Sequence, residues 1–121
     1  MKIHKSAEDY LEMILMLQEN KGYVRSIDIA TGLSVSKPSV SVAMKHLRED
    51  GYISMDKDNL ITLTESGMVI ARAVYDRHTV LTQFLMQLGV DELTAREDAC
   101  KIEHDISPVT LDAIRKNLRK Q

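Results

Sequence analysis

Cysteine, aromatic residues and long apolar runs are all scarce in this sequence. Its 121 residues include one Cys, no Trp and one Phe, so an internal disulfide is excluded and the core must be mainly aliphatic. A single cysteine is typical of a reducing compartment. We find no secretory leader, and no apolar run reaches the roughly 18 residues of a membrane span. These absences predict a cytoplasmic protein, and the lack of HExxH and Gly-rich motifs disfavours an enzyme.

The spacing of apolar residues predicts a mainly α-helical chain with one small β-hairpin. A first helix is expected over 6–20, followed by a short helix over 26–31 that ends at Gly32 and a second over 36–50. Two helices joined by a short turn form a helix-turn-helix. Short strands at 52–55 and 60–63, joined by a polar turn, then predict a wing.

Three further helices are predicted after the wing. They cover 65–88, 91–106 and a last segment that opens with Ser107 as its cap and Pro108 in its first turn. The resulting fold is a winged helix-turn-helix DNA-binding domain over 1–75, followed by a helical domain over 76–121. Leu81, Phe84, Leu85 and Leu88 belong either to a dimer surface or to the core of the second domain.

The second helix of the helix-turn-helix is the candidate DNA-reading element. Net charge is only −2, so the whole chain is not a polybasic nucleic-acid binder, yet the stretch 36–48 contains no acidic residue. In this motif the N-terminal residues of the second helix reach base edges. The candidates for base contact are Ser36, Lys37, Pro38, Ser39, Ser41 and Val42, and those for phosphate contact are Lys45, His46, Arg48 and Lys57. The alternative is that these basic residues form an ordinary solvated face.

A candidate metal-binding triplet lies in the segment CKIEHD. Glu103 and His104 follow Cys100 by three and four positions, which places all three on one face of a continuous helix. A thiolate, a carboxylate and an imidazole suit Fe²⁺, Co²⁺, Ni²⁺ or Zn²⁺. The alternative is a small buried cysteine beside a solvated Glu–His pair.

Three more residues are candidate ligands, although each has an ordinary explanation. Asp9 and Glu12 lie three positions apart on the first helix, and the alternative is that Asp9 is a capping-box acid and Glu12 an ordinary surface charge. His78 lies mid-helix between apolar neighbours, and a half-buried histidine with a hydrogen-bond partner would fit the same pattern.

Four segments together resemble one known family. They are SAEDYLEMILML, YVRSIDIATGLSVSKPSVSVAMKHLREDGYI, ITLTESGMVIARAVYDRHTVLTQFLMQLGV and EDACKIEHDIS. The chain is similar, nearly throughout and in the same order, to metal-dependent repressors of the diphtheria-toxin-repressor type. That family includes iron-dependent regulators and manganese transport regulators.

The resemblance implies a homodimer that binds Mn²⁺ or Fe²⁺ and then binds palindromic operators of metal-uptake genes. The positions matching the family's ligands are Asp9, Glu12, His78, Cys100, Glu103 and His104. Bound metal would then fix the reading head relative to the dimer interface and neutralise the carboxylates.

The matching positions mix the two signatures of the family. The two acids on the first helix are the manganese-type choice, whereas Cys100 is the iron-type choice. Thr82 and Arg96 stand where iron-type members have further ligands, so the ancillary site of those members is not expected. The chain ends at Gln121, without the SH3-like domain of longer members, which points to the two-domain architecture.

Two rival interpretations remain open from the sequence. The first is a winged helix-turn-helix regulator that responds to a non-metal signal, either a small ligand or oxidation of Cys100. The second is a small metallohydrolase, which the missing catalytic motifs disfavour.

Overall fold

Helices account for most of the chain in the computed structural model, which describes residues 5–119. Within these residues the elements are α1 (Lys5–Lys21), α2 (Ser26–Leu33), α3 (Lys37–Glu49), β1 (Ile53–Met55), β2 (Ile61–Leu63), α4 (Glu65–Gln87), α5 (Glu92–Ile102) and α6 (Pro108–Arg119). The mainly helical class with one antiparallel hairpin is therefore confirmed. The chain divides into two units, Met1–Arg72 and Ala73–Gln121, and the division falls inside α4. Among the described residues, none of the helices combines the length and apolarity needed to cross a bilayer.

The N-terminal unit is built around an aliphatic core supplied by α1, α2, α3 and the hairpin. The inward residues of each helix recur three or four positions apart, which is the spacing of one helix face. The most deeply buried side chains are Leu11, Ile14, Leu15, Val24, Ile29, Val40, Met44 and Ile53. This packing leaves the opposite face of α3 in solvent.

The turn between α2 and α3 departs from the prediction. Gly32 was expected to end α2, but it lies inside the helix, and Ser34 takes the left-handed conformation at the C-cap with φ 56°. Gly32 packs closely against α1, where a Cβ would lie 2.8 Å from the sulfur of the flexible Met13 side chain. The prediction that Gly32 ends the helix is therefore wrong.

The wing is tied to the start of α4. Ile53 pairs with Leu63 and Met55 with Ile61 in the antiparallel hairpin. The Thr64 hydroxyl accepts from the Gly67 amide at 3.2 Å and so caps the first turn of α4. The same hydroxyl donates to the Gly51 carbonyl at 2.6 Å, which links the start of α4 to the residue before the wing. A Cβ on Gly67 would overlap the Tyr52 carbonyl oxygen, so only glycine permits this approach.

The C-terminal unit has a smaller core formed by α4, α5 and α6. Val80, Leu81, Ala99 and Leu111 are buried together, with Ile106, Ile114 and Leu118 packed against them. Leu81 is thus core of its own chain, while Leu88 is exposed.

Local hydrogen bonds fix the helix ends of this unit. The Asp91 carboxylate accepts from the Thr94 amide at 3.0 Å, which holds the pKa of Asp91 below its usual value and caps α5. Ser107 caps α6 as predicted, since its Oγ accepts from the Thr110 amide at 3.2 Å.

Candidate metal centre and DNA-reading surface

A fully buried carboxylate lies between two imidazoles in the C-terminal unit. Glu103 is 0% exposed, and its Oε2 is 3.0 Å from His78 Nδ1. Its other oxygen, Oε1, is 3.3 Å from His104 Nε2. Within the C-terminal unit, three of the six predicted ligands thus lie together, and His78 and Glu103 are 25 residues apart in sequence.

The environment of Glu103 suits a cation. A buried carboxylate is costly unless a positive charge or hydrogen bonds compensate it. Oε1 is buried, and within the described residues it forms no hydrogen bond of acceptable geometry. One carboxylate and two imidazoles are donors that divalent first-row metals accept, so the residues present fit the metal that the sequence predicts.

Local structure explains how these side chains are held. α5 ends at Ile102, four residues before the predicted end, and Glu103 follows as its C-cap with its amide donating to the Ala99 carbonyl at 3.0 Å. Ile106 anchors the following turn in the core of the unit. His78 projects from α4, where the buried Thr82 hydroxyl donates to the His78 carbonyl at 2.8 Å.

Of the remaining predicted ligands, one lies in the C-terminal unit and two lie in the N-terminal unit. Cys100 is exposed, although Glu103 in the next turn is fully buried. Asp9 and Glu12 lie one turn apart on α1 in the N-terminal unit, where Asp9 is half-buried and Glu12 is buried. The roles of these three residues stay predictions.

Sequence reasoning missed one tertiary contact close to His78 in the chain. Arg115 of α6 donates to Asp76 of α4 at 2.7 Å, and this bond raises the pKa of the Arg115 guanidinium. It ties α6 to the helix that carries His78. The two residues are 39 positions apart, and no local pattern signals such a pairing.

The predicted DNA-reading residues lie on an exposed surface of the N-terminal unit. Every one of them is exposed: Ser36, Lys37, Pro38, Ser39, Ser41, Val42, Lys45, His46, Arg48 and Lys57. Val42 is a notable case, because an aliphatic side chain 58% exposed on a helix front is available for contact with a thymine methyl. This surface combines apolar, hydroxyl and basic groups, which is the mixture that base and phosphate contacts require.

Two features shape this surface. Arg48 extends toward the wing, where its Nη1 lies 3.7 Å from the Met55 sulfur. Lys57 sits in the hairpin turn between Asp56 and Asp58, and Asp56 Oδ1 accepts the Asp58 and Leu60 amides. The wing tip therefore carries one basic and two acidic side chains.

Both parts of the chain match family models of known proteins. Residues 2–60 match the model of the iron dependent repressor N-terminal DNA binding domain, and residues 64–120 match that of the iron dependent repressor metal binding and dimerisation domain. The chain belongs to the iron-dependent repressor family. The family resemblance drawn from the sequence is thereby confirmed, as is the winged helix-turn-helix interpretation of the fold.

Individual relatives are consistent with this membership. The HTH-type transcriptional regulator MntR of Lysinibacillus sphaericus is 41% identical over 109 residues, covering 90% of this chain and 78% of the relative. The manganese regulator SloR superposes with a TM-score of 0.83 at 32% identity, covering all of this chain and 56% of that structure. A manganese-dependent transcriptional repressor in complex with manganese gives 0.84 at 32% identity, covering 93% of this chain and 52% of that structure. The chain thus spans little more than half the length of these solved structures.

Proposed function

We propose that this protein is a metal-dependent transcriptional repressor that acts as a homodimer in the cytoplasm. It binds Mn²⁺ or Fe²⁺ and then palindromic operators of metal-uptake genes, and it has no enzymatic activity. The observation that carries the proposal is the Glu103 carboxylate, which is buried between His78 and His104 in a member of this family.

The donor set supports Mn²⁺ ahead of Fe²⁺. Mn²⁺ prefers oxygen donors, whereas a thiolate favours softer ions. Cys100 is exposed while Glu103 is buried, so the thiolate is the weakest of the predicted ligands. Asp9 and Glu12, if they ligate as proposed, add carboxylate oxygens to the set. Two of the solved relatives are named for manganese, which supports including Mn²⁺ in the proposal.

The mechanism couples the metal to DNA binding through a population shift. Two recognition helices of a two-fold dimer must lie about 34 Å apart to enter successive major grooves. Glu103, with His78 and His104, would hold the divalent ion, which would offset the carboxylate charge. Metal would favour DNA binding only as far as these residues held it more tightly in the DNA-competent form. On the DNA side, α3 supplies the hydroxyl and apolar contacts, and Lys45 and Arg48 supply charge to phosphates.

The test is anaerobic DNA binding by fluorescence anisotropy. The probe is a duplex selected from a random-sequence pool with the wild-type protein and Mn²⁺, and it is titrated at fixed salt with chelator, Mn²⁺, Fe²⁺ or Zn²⁺. We expect binding with Mn²⁺ or Fe²⁺ that chelator abolishes.

Two substitutions assign the effect to the site. Glu103→Gln should abolish the metal response, because it removes the buried charge that faces both imidazoles. Glu97→Gln is the matched control on the exposed face of α5 and should leave the response unchanged. Binding that ignores chelator would instead support a non-metal signal, and Cys100→Ser tested with peroxide would show whether oxidation supplies it.

A further inference from the structure

We propose that Ser36 acts on DNA only through Ser39, so that Ser36 is a positioning residue and Ser39 is a hydrogen-bond donor to the DNA. This inference deepens the proposed function and rests on it. It separates two adjacent hydroxyls that sequence reasoning had treated alike.

The Ser36 hydroxyl uses its only proton within the protein. Ser36 is the N-cap of α3, with φ −73° and ψ 153°, and its Oγ accepts from the Ser39 amide at 3.2 Å. The same hydroxyl donates its proton to Ser39 Oγ at 2.8 Å. A serine hydroxyl has only one proton. Ser36 therefore has no proton left to donate to a base or a phosphate.

The Ser39 hydroxyl, in contrast, can still donate a hydrogen bond. Its oxygen already accepts from Ser36, so the Ser39 hydroxyl proton is the one that remains for an acceptor on the DNA. Ser39 is exposed in the first turn of α3, the part of a recognition helix that meets DNA. Hydrogen bonds in a chain polarise one another, so donation from Ser36 strengthens Ser39 as a donor.

The direction of the Ser36–Ser39 hydrogen bond determines which DNA groups Ser39 can contact. Acceptors are the phosphate oxygens, purine N7, guanine O6 and thymine O4, whereas cytosine N4 and adenine N6 are donors. The Ser36–Ser39 pair is thus matched to an acceptor on the DNA and mismatched to an exocyclic amino group. An ordinary cap, by contrast, would make Ser36 important for folding and would leave Ser39 without a role.

A double-mutant cycle tests the inference. Ser36→Ala, Ser39→Ala and the double variant are titrated with Mn²⁺ and the duplex selected for the wild-type protein, and thermal unfolding checks that each is folded. Loss of one neutral hydrogen bond should weaken DNA binding by Ser39→Ala about 3- to 10-fold without lowering Tm. Ser36→Ala should weaken it as well, and Ser36→Thr, which retains the hydroxyl, should restore affinity.

The decisive value is the coupling between the two positions. In the Ser39→Ala background, Ser36→Ala should change DNA affinity less than about two-fold, because the hydrogen bond from Ser39 to DNA is already absent. Ser41 is exposed two positions further on, and Ser41→Ala should combine with Ser36→Ala additively.

Two results would overturn the inference itself. One is additive loss from Ser36→Ala and Ser39→Ala, which would mean that Ser36 touches DNA itself. Another is unchanged affinity in Ser39→Ala. Failure of the proposed function is distinguishable, because then the wild-type protein would retain no duplex in a metal-dependent way and the inference would fall with it.

Discussion

Alanine at position 67 should destabilise the N-terminal unit by pushing the wing away from α4. A Cβ on Gly67 would overlap the Tyr52 carbonyl oxygen and come within 2.9 Å of the carbonyl carbon. Both are backbone atoms, so no side-chain rotation can relieve the overlap. The same carbonyl accepts the Thr64 amide at 3.0 Å, and this bond must lengthen or break as Tyr52 moves.

The magnitude follows from three contributions. Overpacking costs about 1–3 kcal/mol, and a lost backbone hydrogen bond costs about 1 kcal/mol. The better helix propensity of alanine returns up to about 1 kcal/mol. We therefore expect the free energy of unfolding to fall by roughly 1–3 kcal/mol, which corresponds to several degrees in Tm.

The assay is urea denaturation of wild type and Gly67→Ala, followed by far-ultraviolet circular dichroism. Gly32→Ala is the control, because the atom nearest to a Cβ there is the flexible Met13 thioether rather than backbone. It should change stability much less than Gly67→Ala. A Gly67→Ala protein as stable as the wild type would refute the argument that α4 and the wing need this close approach.

Two further predictions concern the ion pair near α2 and the second core. Hydrogen bonds from Lys21 and the Arg25 amide hold the pKa of Asp28 below its usual value. Its stabilising effect is therefore present above the pKa of the unfolded chain and is lost as pH falls through the lower folded pKa. Asp28→Asn should therefore unfold at lower urea than the wild type at neutral pH but not in strong acid, and an equal difference at both would contradict this. Leu81→Ala should cost about 2–5 kcal/mol in urea denaturation because Leu81 is 1% exposed. Leu88→Ala, at an exposed position, should change stability by about 0.5 kcal/mol or less, and similar losses in both variants would contradict the assigned core.

The recognition helix was predictable because its signals are local. Ser36 caps α3, and Val40, Met44 and Leu47 are buried at the three- and four-residue spacing that the sequence shows. Capping and periodicity depend on residues within two turns of each other, so one sequence suffices to see them.

Glycine positions predicted the end of α2 less well than capping and periodicity predicted α3. Glycine commonly follows the last turn of a helix, and this predicts a helix end at Gly32. In the structure Gly32 lies inside α2 and packs against Met13 of α1. The helix ends instead at Ser34, a non-glycine residue in the left-handed region. A sequence alone does not distinguish glycine required by backbone conformation from glycine required by a neighbouring helix.

The candidate metal centre depends on tertiary packing, which sequence spacing does not report. Offsets of three and four residues place Cys100, Glu103 and His104 on one face only if a single helix runs through all three. In the structure α5 ends at Ile102, and Cys100 is exposed. His78 reaches Glu103 across 25 residues, a contact set by tertiary packing of the C-terminal unit. Only the family resemblance pointed to that pairing, since no spacing rule connects the two positions.

Metal binding and DNA binding should be coupled in this protein, and one measurement tests that coupling directly. The affinity of the protein for Mn²⁺ should be determined anaerobically without DNA and with saturating selected duplex. Because coupling is reciprocal, DNA should tighten Mn²⁺ binding by the same factor by which Mn²⁺ tightens DNA binding. Equal Mn²⁺ affinity with and without DNA would contradict the account and leave a DNA-binding protein whose metal has no regulatory role.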